Sequence, residues 1–250
     1  MSSADGVVDI VYYTDPLCCW SWAFEPQWRR LRYEFGTNVR WRYCMGGLIP
    51  SWKAFYDAAN AVSRPAQMGP VWMEASHLTG MPIQNAIWMT HPPASSYLAC
   101  IGVKCAELQS PTAGERYLRL LREAVMLQGK NIALQSVLLH VAQDLEEQDS
   151  TLFSASQFQK DMQEHKGKEA FRADLQEVQS LQISRFPTLI FRRSGHKSLM
   201  VSGHRPYAVL LDIMQQIAPE LKPQQNIDAA EYLAYWGPMT DREMSEVVDR

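Results

Sequence analysis

Two adjacent cysteines, Cys18 and Cys19, begin the motif Cys-Cys-Trp-Ser, which Trp20 and Ser21 complete. A cysteine thiolate attacks disulfide bonds and forms a mixed disulfide with the sulfur it attacks. Residues 7–12 have the composition of a strand, and a helical spacing of apolar residues follows the motif, so the motif is expected at a helix N-terminus. Unpaired N–H groups and the helix dipole lower the pKa of a thiol there. We interpret Cys18 as a nucleophile with a lowered pKa; the alternative is a buried thiol that only packs as a small hydrophobic residue.

A βαβ unit is predicted around this motif. Residues 7–12 and 39–45 have strand composition, and residues 24–35 carry apolar side chains at helical spacing up to a glycine. Pro26 lies inside the helical pattern, which predicts a kinked helix or a helix with a separate first segment. The loop that enters this helix is where the chemistry is expected.

Strand character is absent from residue 51 to about residue 182 and returns at residues 187–193 and 198–202, before a last amphipathic helix. A stretch of this length is not a loop in a compact domain, so it predicts an inserted set of helices. The order βαβ, helices, ββα is that of the α/β thioredoxin fold. The expected parts are a discontinuous thioredoxin-fold domain of residues 1–50 and 183–222, an inserted helical subdomain of residues 51–182 and a C-terminal helical tail of residues 223–250.

Composition narrows the class of protein. The 250 residues carry 24 Lys and Arg against 27 Asp and Glu, a net charge of −3, which offers no basic stripe for nucleic acid. No apolar run reaches the ~18 residues that span a membrane, and the N-terminus has no cationic leader. Five cysteines without a leader indicate a reducing compartment, and no Cys or His spacing resembles a metal site. The sequence therefore predicts a cytoplasmic protein with no nucleic-acid, membrane or metal partner.

The motif and the segments after it resemble the DsbA-like family of thioredoxin-fold proteins, in which Asp-Pro-x-Cys-x-x-Cys-Trp/Tyr opens the first helix. The matching residues are Asp15, Pro16, Cys18, Trp20, Trp22, Pro26, Gly46-Gly47-Leu48 and Arg185-Phe186-Pro187-Thr188-Leu189. The resemblance extends from residue 7 to about residue 220. It implies a cis bond between Phe186 and Pro187 close to Cys18, with Trp20, Phe186 and Pro187 contacting an incoming substrate.

Ser21 stands where the family has its second cysteine, and a hydroxyl cannot resolve a mixed disulfide. Cys19 is a poor substitute, because adjacent Cα atoms are ~3.8 Å apart and bridged cysteines are usually at least ~4.4 Å apart. We therefore expect one nucleophile, Cys18, with Cys19 and Ser21 in the same turn and no tightly bound cofactor. The resemblance implies a thiol–disulfide oxidoreductase or isomerase acting on protein or glutathione disulfides, with glutathione as a candidate co-substrate.

Two other functions stay open at this point. The Asp-Pro-Leu-Cys and Glu-Pro elements also resemble the YjbH/SpxH-type adaptors, which deliver a transcription factor to the ClpXP protease, and the tail from residue 227 resembles part of their C-terminal extension. A non-catalytic adaptor that binds a protein partner through this tail is the second hypothesis. A glutathione-dependent transferase or isomerase is the third, although those relatives carry serine at the position of Cys18. Glu25, one helical turn after Ser21, is interpreted as a solvated surface residue.

Overall fold

The computed structural model describes residues 6–248. Its sheet is built from the strands β1 (Val8–Thr14), β2 (Val39–Met45), β3 (Thr188–Arg192) and β4 (Leu199–Ser202). The strand order in the sheet is β2-β1-β3-β4. β1 runs parallel to β2 and antiparallel to β3, with Val8 opposite Val39 and Ile10 opposite Phe191. β3 and β4 form the expected antiparallel pair. The thioredoxin fold predicted from the element order is confirmed.

The first helix is divided, as the position of Pro26 indicated. α1 (Cys19–Ala23) and α2 (Glu25–Phe35) meet at Phe24. Pro26 lies in the first turn of α2, where backbone N–H groups have no hydrogen-bond acceptor within the helix, so the proline removes no helical hydrogen bond. The short α1 therefore carries the cysteine motif, while the longer α2 supports the sheet.

Helices occupy the region between β2 and β3. They are α3 (Met68–Thr79), α4 (Ile87–Thr90), α5 (Tyr97–Glu107), α6 (Pro111–Met126), α7 (Gln135–Gln148), α8 (Ala155–Gln163) and α9 (Gly167–Ser180). Apart from a single isolated bridge between Asp57 and Val62, residues 51–182 contain no β-structure. None of the helices formed by residues 6–248 is long and apolar enough to span a bilayer.

The two faces of the sheet are buried against different helices, because successive side chains of β1 point to opposite sides. On one face Tyr12 contacts Trp28 of α2, with ring centroids 5.2 Å apart, and Trp28 Nε1 donates to Tyr43 Oη at 2.9 Å. On the other face Val11 and Tyr13 form a smaller apolar cluster. The turn after β1 is therefore held on a rigid, double-sided layer.

β2 is an edge strand, and the half of its edge nearest the site is covered. Lys104 Nζ of α5 donates to Tyr43 O at 3.2 Å, and Met45 N donates to Asp174 Oδ2 of α9 at 2.7 Å. Lys104 and Asp174 also form an ion pair of 2.8 Å. The other half of the edge, beside Trp41, borders a cavity of about 540 Å³ between β2 and the start of α6.

The C-terminal tail, residues 223–248, returns to α2 after α10 (Tyr207–Ile217). Its helices are α11 (Ala229–Trp236) and α12 (Asp241–Val248). Tyr232 packs edge-to-face on Tyr33 of α2, with ring centroids 5.0 Å apart. Thr240 and Glu243 exchange hydrogen bonds as a capping box. The tail is therefore folded against the domain.

Candidate functional site

The turn between β1 and α1 is fixed by backbone and side-chain hydrogen bonds. Asp15 Oδ1 accepts from Leu17 N at 2.8 Å, and Asp15 O accepts from Cys18 N at 3.1 Å. Cys18 is the N-cap residue of α1, and its Sγ accepts from Ser21 N at 3.4 Å. The motif predicted to open the first helix thus does so with Cys18 at the cap position.

The segment before β3 lies beside this cap. The Phe186–Pro187 peptide bond is cis, as the resemblance implied. Cys18 Sγ donates to Phe186 O at 3.5 Å, while Trp20 in α1 is half-buried with its ring 6.2 Å from that of His204. The structure therefore brings Cys18 together with Ser21 and the cis-proline segment, and leaves Trp20 partly open to solvent.

The predicted lowering of the Cys18 pKa is wrong. Burial raises the pKa of the Cys18 thiol, which is only 5% exposed, and the Ser21 hydroxyl and N–H, which favour the thiolate, offset this only in part. α1 has five residues, so few peptide dipoles are aligned behind the thiol. Desolvation therefore outweighs the groups that favour the thiolate, and Cys18 is predominantly a neutral thiol at neutral pH.

Cys19 faces away from this position. It is buried in the main apolar core, and burial, followed by the proximity of Cys18, raises its pKa well above the usual value. Neither cysteine is in a disulfide. Cys19 therefore has the environment of a core thiol rather than of a resolving nucleophile.

Asp15 is an organising residue whose role the sequence did not reveal. It is fully buried, and its Oδ2 accepts from Leu48 N at 2.6 Å, from Ser96 Oγ at 2.7 Å and from Cys100 Sγ at 3.3 Å. Burial raises its pKa even though these hydrogen bonds favour the carboxylate. One carboxyl group thus joins the cysteine turn, the loop after β2 and α5.

The prediction that Glu25 is a solvated surface residue is wrong, because Glu25 is buried. Its carboxylate pairs with Arg122 of α6, and Arg122 also donates to Thr14 Oγ1 at the end of β1. The insertion and the C-terminal tail cover this side of α2, and a helical pattern cannot tell which polar face other elements will cover. Sequence reasoning therefore missed the charged groups beneath the turn.

Metal-binding groups are not gathered at the site or elsewhere in the described part of the chain. Within residues 6–248, no three His, Cys, Asp or Glu side chains lie together as metal ligands. His204, beside the motif, has its pKa lowered by burial and by the charge of Arg242. It is therefore mostly neutral at pH 7 and packs on the rings of Trp20 and Phe24.

Known proteins resemble this chain in sequence and in fold. The pattern of a family described as thioredoxin matches residues 12–212. The ClpXP adapter protein SpxH of Halalkalibacterium halodurans is 28% identical over 226 residues, which are 88% of this chain and 72% of that protein. The SpxH of Bacillus subtilis is 27% identical over 247 residues, or 97% and 78% of the two chains.

Solved structures share the fold at lower identity. The cytosolic disulfide reductase DsbM from Pseudomonas aeruginosa superposes with a TM-score of 0.63 at 19% identity, over 84% of this chain and 100% of that one. Its form with GSH gives a TM-score of 0.61 at 18% identity, over 83% and 99%. The family match covers most of this chain. The chain belongs to the thioredoxin family, and the proteins similar to it in sequence include the SpxH adapter proteins.

Proposed function

We propose that the protein acts through a single nucleophilic thiol, Cys18, which forms mixed disulfides with an extended polypeptide or with glutathione. The observation that carries this proposal is the position of Cys18 Sγ, 3.5 Å from the carbonyl oxygen of Phe186, which precedes cis-Pro187. A substrate polypeptide that pairs with the Phe186–Pro187 segment as an extended strand would place its disulfide sulfur next to Cys18 Sγ. Trp20, half-buried in the same turn, is the proposed apolar contact for the substrate.

The reaction consists of two thiol–disulfide exchanges. In the first, the Cys18 thiol loses its proton to solvent and the thiolate attacks a substrate disulfide, forming a bond to one sulfur and releasing the other as a thiolate. In the second, an external thiol attacks the substrate sulfur of the mixed disulfide and releases the Cys18 thiolate, leaving a disulfide between the external thiol and the substrate. Glutathione is the external thiol we propose, because Ser21 cannot supply one.

The raised pKa of Cys18 affects how long the mixed disulfide lasts and whether the protein oxidises or reduces its substrates. A thiol of high pKa is a poor leaving group, so the mixed disulfide through Cys18 is long-lived. DsbA itself is a strong oxidant whose active cysteine has a pKa of ~3.5. The environment of Cys18 supports instead a slow reductase or isomerase of a reducing compartment such as the cytoplasm.

Mass spectrometry tests the proposal directly. Reduced protein is incubated with oxidised glutathione, and the adduct is located by tandem mass spectrometry in the parent, in Cys18→Ser and in the matched neighbour variant Cys19→Ser. We expect one glutathione on Cys18 in the parent and in Cys19→Ser, and none in Cys18→Ser. Reduction of insulin by glutathione should be accelerated by the parent and not by Cys18→Ser. An adduct on Cys19 alone, or no adduct and no acceleration, refutes the proposal.

A protein-binding adaptor is the second candidate, and sequence favours it. The SpxH relatives are named as adapters of ClpXP, and they match over 88% of this chain or more in the two cases above. The exposed side chains of Leu233 and Tyr235 on α11 offer a surface for a partner. Binding that survives Cys18→Ser and is lost in the double variant Leu233→Ser/Tyr235→Ser supports the adaptor function. Binding that requires Cys18 and tolerates the tail substitutions excludes it.

A further inference from the structure

Five charged side chains form a cluster beneath the cysteine turn, which we call the buried charge cluster. Its members are Glu25, Arg29, Arg119, Arg122 and Glu243, and their side chains are at most 11% exposed. Glu25 Oε2 lies 3.5 Å from Arg29 Nε and 3.8 Å from Arg119 Nη1, and Glu25 Oε1 pairs with Arg122. Glu25 is therefore shared by three guanidinium groups.

One end of the cluster reaches the turn that carries Cys18. Arg122 donates to Thr14 Oγ1, and its guanidinium carbon lies 5.9 Å from the ring centroid of Tyr12. Tyr12 Oη in turn donates to Ser21 O at 3.3 Å. The charge of Asp15 disfavours the Cys18 thiolate and the positive charge of Arg122 favours it, and Arg122 is itself paired with the carboxylate of Glu25.

The other end of the cluster belongs to the C-terminal tail. Glu243 in α12 accepts from Arg119 at 2.7 and 2.9 Å and lies 3.3 Å from Arg29 Nη1. Burial disfavours the Glu243 carboxylate, but the charges of Arg119 and Arg29 outweigh it and hold the Glu243 pKa below its ordinary value. The tail therefore contributes a buried negative charge to a cluster whose remaining members include three arginines.

We infer that docking of the C-terminal tail through Glu243 restrains the reactivity of Cys18, with Arg122 as the positioning residue that links the cluster to the turn. When Glu243 is in place, its carboxylate compensates part of the charge of Arg119 and Arg29, which also contact Glu25. When Glu243 leaves, Arg119 and Arg29 lose that carboxylate and draw more strongly on Glu25, so the charge of Arg122 near Cys18 is less compensated. A protein partner that takes up the tail thereby activates the thiol.

The inference rests on the proposed thiol chemistry but is tested without it. The rate of alkylation of Cys18 by iodoacetamide is measured from pH 6 to 11 by tandem mass spectrometry on the full chain, and the midpoint of the profile gives the pKa. Glu243→Gln removes the charge and keeps the shape of the side chain. We expect its midpoint to fall by about half a unit, which makes alkylation about threefold faster below the midpoint.

Glu246→Gln is the matched control. Glu246 lies one turn from Glu243 in α12, and its ion pairs with Arg30 and Arg242 hold the tail without touching Glu25 or Arg122. We expect its midpoint to equal that of the parent. A change in the plateau rate alone reports altered access to Cys18, whereas a change in the midpoint reports altered charge.

A second pair of variants tests the role of Arg122. Arg122→Lys keeps the charge and should leave the midpoint close to that of the parent, while Arg122→Met combined with Glu25→Gln removes the buried pair together and should remove the effect of Glu243→Gln. The inference is overturned if Glu243→Gln leaves the midpoint unchanged, if Glu246→Gln shifts it equally, or if the shift persists without Arg122. Absence of a glutathione adduct alongside the expected midpoint shift refutes the proposed function and leaves the coupling intact.

Discussion

Substitution of Gly46 by alanine tests how closely the loop after β2 supports the cis-proline segment. A Cβ atom added at position 46 would lie 1.9 Å from Cζ of the Phe186 ring and 2.4 and 2.5 Å from its Cε atoms. Ordinary contact begins at 3.4 Å, so the ring must move by about 1.5 Å. Because the φ angle of Gly46 is outside the left-handed region, the backbone accepts alanine and the whole cost comes from the ring.

We expect Gly46→Ala to lower the free energy of unfolding by ~1–3 kcal/mol, the usual cost of overpacking. Phe186 also carries the carbonyl that accepts from Cys18, so where its backbone shifts with the ring we expect the rate of glutathionylation at Cys18 to change. Urea unfolding and the mass-spectrometric adduct assay measure the two effects.

A double-mutant cycle with Phe186→Ala isolates the contact. In the Phe186→Ala background, Gly46→Ala should cost less than ~0.5 kcal/mol, because no ring remains to be displaced. Gly69→Ala in the first turn of α3 is the control, since an added Cβ there meets no atom within 4 Å beyond its chain neighbours and its own helix backbone, and alanine should not lower the free energy of unfolding. An equal cost for Gly46→Ala with and without the Phe186 ring refutes the reasoning.

Three further predictions concern the site and the tail. Ser21→Cys restores the family's second cysteine three residues after Cys18, so glutathione-dependent insulin reduction should become faster and the glutathione adduct on Cys18 shorter-lived; an unchanged adduct lifetime contradicts this. Asp15→Ala leaves two buried N–H groups without their acceptor, and each such loss costs ~1–3 kcal/mol. Urea unfolding should therefore show the free energy of unfolding lowered by more than ~2 kcal/mol, and by more than in Ser96→Ala. The pKa of Glu243 in the folded protein is lowered from its ordinary value of 4.5. The contribution of its carboxylate to tail docking is therefore complete above pH 4.5 and is lost as the pH falls through the pKa of the folded state. Hydrogen exchange should show α12 losing protection below that pH before α6 does; simultaneous loss contradicts this order.

The sequence predicted the elements of the fold because their signals are local. Strand composition placed β2 at residues 39–45, where the structure has it. The position of Pro26 indicated the separate first segment that became α1. Hydrophobic spacing and turn residues act over a few positions, so they can be read without knowledge of the tertiary structure.

The electrostatics of the site could not be predicted in the same way. The pKa of Cys18 depends on how completely other segments exclude water from it, and the helix that was expected to lower this pKa ends after five residues. Glu25 and Arg119 occupy the polar faces of their helices, which the tail later covers. Burial of charged groups is a property of the assembled fold, and local patterns do not carry it.

The partly covered edge of β2 has a consequence for solubility. Exposed edges invite strands from other molecules to add on, which leads to aggregation. Lys104 and Asp174 occupy the outward carbonyl of Tyr43 and the outward N–H of Met45, so an intruding strand finds neither hydrogen-bonding group free. The charged side chains of Arg40 and Arg42 flank the remaining open stretch, where a second chain would have to bury them or displace their acidic partners. The ion pair that joins α5 to α9 thereby also protects the protein against self-association through the β2 edge of its sheet.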